Sequence, residues 1–385
     1  MACKRRRTKS NSAGLTALSL CLTKRLAPVA AGGDANLAFS PASIYAALAL
    51  LAAGARGGTL QEILHALGGE SHDDLAAFAR RVAERALADR SRSPPGGGPT
   101  VAFACGAWYD AAWAPGPEFR DAAAAADKAE ARAVDFSNEP EKAVSEINGC
   151  VAAATNNHIN SILDSSSANA LTSLVVASAI YFKGKWEVPF TKTHTRVDKF
   201  YRLDGSAADV PFMRSSPSAS GNEPDKAADE LLRYSMCIFL PDERDGLAGL
   251  VAKIASGPGF WHYRLPVERV PVGDFRLPKF KLSASGSVRQ AGEADLSGMA
   301  KSDGDEAGTP LHVADVRHKV VLEVNEDGAM AVVATSSYML RGASAVMADQ
   351  PETVDFVADN LFVFFVIEEV SRAILFVGRV LDPSV

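Results

Sequence analysis

The chain has few cysteines and no glycosylation motif. Its five cysteines are odd in number, widely spaced and include no Cys-x-x-Cys pair, which argues against both a disulfide framework and a zinc site. No Asn-x-Ser/Thr acceptor for N-glycosylation occurs. These absences predict reduced thiols in a cytoplasmic or nucleocytoplasmic protein, with secretion as the weaker alternative.

The N-terminus lacks the cleavage site that a signal peptide needs. Residues 4–9, KRRRTK, and the apolar residues 14–22 imitate the basic and hydrophobic regions of such a peptide. However, no small-residue cleavage site follows before Lys24 and Arg25. We predict that residues 1–12 form a basic, disordered tail, and a nuclear address is the alternative for this cluster.

The sequence also lacks the motifs of the common hydrolases and nucleotide-dependent enzymes. Gly-x-Ser-x-Gly, His-Glu-x-x-His and Gly-x-x-x-x-Gly-Lys-Ser/Thr are absent. No Gly-x-Gly-x-x-Gly follows a strand pattern, which argues against a doubly wound parallel fold. We therefore expect no enzyme activity, no cofactor and no metal site. His312 and His318, six residues apart, would share one face of a strand, so a metal pair is the open alternative there.

Composition indicates one large domain. With 385 residues, 47% of them hydrophobic and 22% charged, the chain can bury a large core. Its net charge of −6 gives no general basic surface, so we expect neither a nucleic-acid nor a membrane partner. The Pro/Gly-rich residues 91–100 are interpreted as a loop because apolar patterning resumes at Val101. We predict a single, monomeric domain over residues 13–385.

Helical and strand patterns alternate along the chain. Apolar spacing predicts helices over 44–67 (two, broken by glycines), 73–88, 118–132 and 141–162. Short apolar runs typical of buried strands lie at 101–109, 174–182, 235–240, 319–324 and 361–367. The mixture indicates an α+β protein with large sheets.

Residues 323–341, EVNEDGAMAVVATSSYMLR, have the pattern of a strand that is first exposed and later buried. At period two, Ala329, Ala331 and Val333 fall on one face and are small enough to enter a packed sheet. Gly328 permits a sharp backbone change, as a hinge requires. Arg341-Gly342 is a bond that a trypsin-like or papain-like protease could cut. An ordinary surface loop is the alternative.

Four blocks resemble the serpin family, and its plant-type branch in particular. They are NLAFSPASIYAALALLAAGARGGTLQEILHALG (36–68), ASAIYFKGKWEVPF (177–190), HKVVLEVNEDG (318–328) and FVADNLFVFFVIEEVSRAILFVGRVLDP (356–383). They occur in the family's order and, with weaker matches between them, cover nearly the whole chain. The resemblance implies an α+β (multidomain α/β) serpin fold with three β-sheets, about eight or nine helices and an exposed reactive-centre loop over about residues 326–347.

The resemblance also implies roles for individual residues. The scissile bond would join Arg341 to Gly342. The loop is one residue shorter than usual when counted from Glu326, so a cut after Gly342 is the alternative. Ser178 stands where the family usually has Asn, so its network should lose a donor. The implied sites are the hinge (Glu326, Gly328, Ala329, Ala331, Val333), the shutter (Ser40, Ser43, Ser178, His318) and the breach tryptophan, Trp186.

The activity implied by the resemblance is inhibition of a serine or papain-like cysteine protease that accepts Arg. The cut loop would insert into the main sheet and trap the acyl-enzyme. Three departures support an alternative, a non-inhibitory serpin that is a protease substrate or a binding or scaffold protein. The hinge reads Gly-Ala-Met-Ala-Val-Val-Ala in place of Gly-Thr-Glu-Ala-Ala-Ala-Ala, residues 214–234 lack the alternation of two expected strands, and residues 283–298 are shortened.

Overall fold

The structure is a computed structural model. It describes residues 2–26, 35–92, 98–112, 119, 129–215, 234–257, 260, 272–287, 313–328 and 353–385. For residues 2–12, 129, 287 and 313–315 only the backbone is described. Over this part of the chain, no helix is both long enough and apolar enough to cross a membrane.

Six α-helices lie in the described ranges, against the eight or nine predicted. They are α1 (Ala2–Lys24), α2 (Pro41–Gly54), α3 (Gly57–Leu67), α4 (His72–Arg85), α5 (Pro140–Ala154) and α6 (Leu247–Ile254), with a 3-10 turn at Lys192–His194. The glycines at 54, 57 and 58 separate α2 from α3, as predicted.

Within the described ranges, thirteen strands form three sheets, which confirms the predicted number of sheets. The first sheet has the order β1 (Leu37–Phe39), β13 (Ile374–Val380), β12 (Phe362–Glu368), β7 (Tyr234–Phe239). The second has β3 (Ala129–Val134), β2 (Thr100–Asp110), β4 (Leu174–Lys183), β10 (Val313–Val324), β9 (Phe280–Ser287). The third has β11 (Val354–Val357), β8 (Val272–Pro278), β6 (Ala207–Arg214), β5 (Arg196–Tyr201).

The five-stranded sheet is covered on both faces. Side chains of β4 alternate between two apolar clusters, with Phe182 in the cluster on the α2 side and Tyr181 in the cluster on the α5 side. A strand buried on both faces needs a continuous apolar run, and only Lys183, at the end of β4, is not buried. The helix α2 is buried at every position except Ala46, as expected for a helix that is apolar all round.

Three local predictions differ from the structure. Residues 2–12, predicted as a disordered tail, belong to α1; the Ala, Lys and Arg in this stretch are strong helix formers. Residues 129–134 form β3 rather than the end of a helix, because pairing with β2 overrides alanine's helix propensity. The helix predicted to reach Ile162 ends at Ala154 because Asn156 and Asn157 adopt φ values of 50° and 59°, which asparagine tolerates and a helix does not.

Candidate functional site

The central feature of the site is the boundary between β4 and β10, which we call the seam. These two strands run parallel, and their register pairs Leu174 with Val313 at one end and Lys183 with Glu323 at the other. On the outer sides, β4 pairs antiparallel with β2 and β10 pairs antiparallel with β9. The seam is therefore a parallel junction between two antiparallel pairs.

A tight turn follows β10 at the end of the seam. Asn325 and Gly328 exchange two backbone hydrogen bonds, with N···O distances of 3.0 and 3.2 Å. Glu326 and Asp327 form the corner between them, so the chain has reversed direction at Gly328. Gly328 and Glu326 are two of the predicted hinge residues. A chain that leaves this turn starts beside the seam.

Gly328 is required by a close approach of two backbones. A Cβ atom at this position would overlap the carbonyl oxygen of Gly184, which directly follows β4. Gly328 is not among the described glycines with positive φ. A sharp change of backbone direction is the predicted reason for this glycine, whereas the structure shows that it lets the turn pack against the end of β4.

Trp186 binds the turn to the segment after β4. Its indole Nε1 donates to the carbonyl oxygen of Asn325 at 2.6 Å, and its backbone N–H donates to the carbonyl of Asp327 at 3.4 Å. The ring is buried and lies edge-to-face against Phe190, with centroids 5.2 Å apart. Trp186, which the family resemblance assigns to the breach, therefore ties the turn at residues 325–328 to the segment that follows β4.

The side chain of Glu326 is buried in a polar pocket. Its carboxylate accepts hydrogen bonds from Lys279 Nζ at 2.9 Å and from Thr195 Oγ1 at 2.8 Å. Burial alone would raise the pKa of this carboxyl, but the bonds from Lys279 and Thr195 outweigh it and hold the pKa below its usual value. Lys279 and Thr195 were missed by sequence analysis, since they lie 47 and 131 residues away and no local pattern marks them.

The predicted shutter residues meet at the middle of the seam. The backbone N–H of Ser40 donates to His318 Nε2 at 3.0 Å, so the neutral ring carries its proton on Nδ1. That Nδ1–H donates to Ser178 Oγ at 3.0 Å. Burial lowers the pKa of His318 to about 3. With both ring nitrogens engaged, His318 has no free lone pair for a metal or for base catalysis; His312 lies outside the described residues.

Ser43 is the weak member of this network. Its backbone N–H donates to Ser40 Oγ at 3.2 Å, but its own hydroxyl is fully buried and has no hydrogen-bond partner among the described residues. A missing donor is predicted for this network because Ser178 stands where the family usually has Asn. An unsatisfied buried hydroxyl costs about 1–3 kcal/mol, so the network holds β4, β10 and α2 together less tightly than a fully bonded one would.

A second polar cluster spans the seam near the hinge and was not predicted. Tyr181 Oη, on β4, donates to Glu323 Oε2, on β10, at 3.2 Å. Lys183 Nζ lies 3.4 Å from Glu323 Oε1, which also accepts from Asn325 Nδ2 at 2.8 Å. The sequence alone does not reveal this cluster, because Lys183 and Glu323 are seen to be opposite each other only when the register of β4 with β10 is known.

Several predicted positions lie outside the described residues. They are the remaining hinge residues and the two residues of the scissile bond: Ala329, Ala331, Val333, Arg341 and Gly342. The roles of these residues stay predictions. The same holds for the parts of the two altered regions, 214–234 and 283–298, that the structure does not describe, namely residues 216–233 and 288–298.

Comparison with known proteins identifies the class that this fold and seam define. The family model described as "Serpin (serine protease inhibitor)" matches residues 13–383. The chain belongs to the serpin family, whose members are generally protease inhibitors rather than enzymes.

Plant serpins are among its most similar relatives. Serpin-Z2A of Oryza sativa subsp. japonica is 43% identical, over 96% of this chain and 97% of that protein. Serpin-Z1B of Triticum aestivum is 36% identical, over 96% of this chain and 95% of that protein. The Arabidopsis serpin AtSerpin1, described as in its native stressed conformation, superposes with a TM-score of 0.82 at 30% identity, covering 98% of this chain and 99% of that one. The predicted plant-type serpin resemblance and fold class are thereby confirmed.

Proposed function

We propose that this chain inhibits serine or papain-like cysteine proteases that accept Arg, by inserting its cleaved reactive-centre loop into the seam. The parallel pairing of β4 with β10 is the observation that most supports the proposal. The chain turns at residues 325–328, and Gly328 packs against Gly184 at the end of β4, so the loop is proposed to start beside that end of the seam. Because the turn reverses the chain, an inserting segment would run antiparallel to β10, and hence to β4 as well.

Insertion would improve the pairing within the sheet. One parallel junction would be replaced by two antiparallel ones, and antiparallel pairing is slightly more stable per residue. The inserted strand would also bury Ala329, Ala331 and Val333, which face one side at period two. The intact fold is therefore proposed to store free energy that is released only when the loop can enter.

The proposed chemistry depends on a competition between two steps. A target protease attacks the carbonyl of Arg341 and forms an acyl-enzyme, with Gly342 at the start of the released C-terminal fragment. Insertion then carries the acyl-enzyme across the sheet before water can hydrolyse the ester or thioester. We assign the cut to Arg341 rather than Gly342 because a protease pocket recognises a side chain, which glycine lacks.

A direct test is incubation with trypsin and, separately, with a papain-like protease. We expect an adduct that survives denaturing gel electrophoresis and a released fragment that begins at Gly342 by mass spectrometry. Arg341→Ala should abolish the adduct with trypsin, while the same protease with its nucleophile blocked serves as the control. Complete cleavage of the parent protein without any adduct would contradict the proposal.

One observation favours the alternative, a non-inhibitory serpin that is cleaved as a substrate or acts as a binding or scaffold protein. The hinge sequence Gly-Ala-Met-Ala-Val-Val-Ala places the β-branched Val333 on the face that insertion would bury, and a bulkier inward side chain slows insertion relative to hydrolysis of the acyl-enzyme. Under this alternative the loop would be cut, the protease would be released active, and no adduct would accumulate in the same experiment.

We also propose that the protein resides in the cytoplasm or in both cytoplasm and nucleus. The cysteines whose side chains are described, Cys21, Cys105, Cys150 and Cys237, are all free thiols, which suits a reducing compartment. Imaging of a C-terminal fluorescent fusion in plant cells should show cytoplasmic or nucleocytoplasmic signal. Fluorescence confined to the secretory pathway would contradict this localisation.

A further inference from the structure

We propose that Tyr181, Lys183 and Glu323, braced by His158, form a clamp that holds the hinge end of the seam closed and sets how fast the sheet accepts a new strand. We call these four residues the seam clamp. The inference rests on the proposed function, because it concerns the insertion step. It assigns that control to side chains that belong to neither the shutter nor the hinge.

The clamp residues lie on opposite sides of the path that an inserting strand must take. Tyr181 and Lys183 are on β4, and both contact the carboxylate of Glu323 on β10, at 3.2 and 3.4 Å. Neighbouring strands are about 4.8 Å apart, so a strand between them moves them to about 10 Å. Neither contact can persist at that separation. Insertion therefore has to break both.

The hydrogen bond from Tyr181 Oη to Glu323 is charge-assisted. The acceptor is a carboxylate, and hydrogen bonds to ionised groups are roughly twice as strong as neutral ones. Burial, followed by the nearby charge of Glu323, raises the pKa of Tyr181 to about 12. The phenol therefore stays a protonated donor throughout the physiological range.

His158 positions Tyr181 from the solvent side. Its ring lies flat on the Tyr181 ring, with centroids 3.8 Å apart and an interplanar angle of 4°. Three residues further on, the carbonyl oxygen of Ser161 accepts a hydrogen bond from Lys319 Nζ, on β10, at 2.6 Å. The segment after α5 thus contacts both strands of the seam. His158 keeps the phenol aimed at Glu323, while Ser161 anchors the segment that carries His158.

The clamp can be tested by measuring how fast the full-length protein takes up a synthetic peptide with the sequence of residues 328–341. Uptake is followed by native gel electrophoresis and by the gain in thermal stability. We expect Tyr181→Phe and Glu323→Gln each to speed uptake about tenfold, which corresponds to about 1.4 kcal/mol in the barrier. His158→Ala should speed it less, and His158→Phe, which can keep the ring stack, should restore the parent rate.

Tyr234→Phe is the matched control. Tyr234 is buried and its ring packs against Phe182 of β4, but its hydroxyl donates to the Ala86 carbonyl at 3.2 Å, which lies on neither strand of the seam. Like Tyr181→Phe, Tyr234→Phe removes a tyrosine hydroxyl that donates a hydrogen bond at 3.2 Å. We therefore expect Tyr234→Phe to lower the stability of the protein without speeding peptide uptake. Equal uptake rates for Tyr181→Phe and Tyr234→Phe, or a parent protein that takes up no peptide, would overturn the clamp. A parent that takes up peptide but forms no protease adduct would refute the proposed function and leave the clamp standing.

Discussion

The pH dependence of stability tests the shutter geometry through a single side chain. His318 is buried, accepts a hydrogen bond at Nε2 and donates one from Nδ1, and its pKa is lowered to about 3 by burial. The ordinary value for histidine is about 6.5. The perturbation is a change from pH 7 to pH 5, applied to the parent protein and to His318→Gln, which keeps an acceptor for Ser40.

The sign and size of the effect follow from proton linkage. Between the two pKa values the unfolded chain binds one more proton than the folded chain, so the free energy of unfolding falls as the pH falls. The contribution of His318 to the free energy of unfolding is complete above about pH 6.5 and is lost progressively as the pH falls towards about 3. At about 1.4 kcal/mol per pH unit for one proton, the loss attributable to His318 between pH 7 and pH 5 is about 2 kcal/mol.

The assay is denaturant unfolding of both proteins at the two pH values, followed by tryptophan fluorescence. Other titrating groups are shared, so their effects cancel in the difference between parent and variant. The parent should lose about 2 kcal/mol more than His318→Gln on acidification. Equal losses in the two proteins would refute a buried, neutral His318.

Two further substitutions test the shutter and the hinge. Ser43→Ala removes a buried hydroxyl that has no hydrogen-bond partner among the described residues, so it should raise the free energy of unfolding by about 1 kcal/mol; a thermal melt at or below the parent's would contradict this. Lys279→Met leaves the Glu326 carboxylate buried without its cation and should cost about 2–3 kcal/mol in denaturant unfolding. Lys199→Met, which breaks an exposed ion pair, should cost less than about 1 kcal/mol, and equal costs would show that Glu326 is not anchored by Lys279.

Elements with a strong local signal could be predicted from the sequence. The helices α2 and α3 and the buried strands β4 and β12 lie where apolar spacing places them, because their burial requires continuous or periodic apolar side chains. The strand β3 could not be found this way. Its residues AEARAV favour a helix, and only pairing with β2 makes them extended.

In the candidate site, too, some residues could be predicted from local sequence and others could not. His318, Ser40 and Trp186 were found because each lies within a block that resembles the serpin family. The partners of Glu326 and the seam clamp could not be found, since they depend on strand register and on the packing of distant segments. Tyr181 lies in an apolar run and reads as a core residue until β10 places Glu323 beside its hydroxyl.

The most direct test of the trap is a pair of hinge variants that differ only in the face they modify. At period two Ala331 faces into the sheet on insertion and Met330 faces out. Ala331→Arg would place a guanidinium in the apolar sheet, which costs several kcal/mol, so insertion should stall while the acyl-enzyme hydrolyses. Met330→Arg should have little effect, and both variants should still be cut after Arg341.

The measurement is the ratio of covalent adduct to cleaved protein for Ala331→Arg, Met330→Arg and the parent with the same protease. Loop insertion predicts a high ratio for the parent and Met330→Arg and a ratio near zero for Ala331→Arg. Equal loss of adduct in both variants would contradict the face assignment. An adduct from Ala331→Arg as abundant as the parent's would contradict the claim that this loop enters the seam.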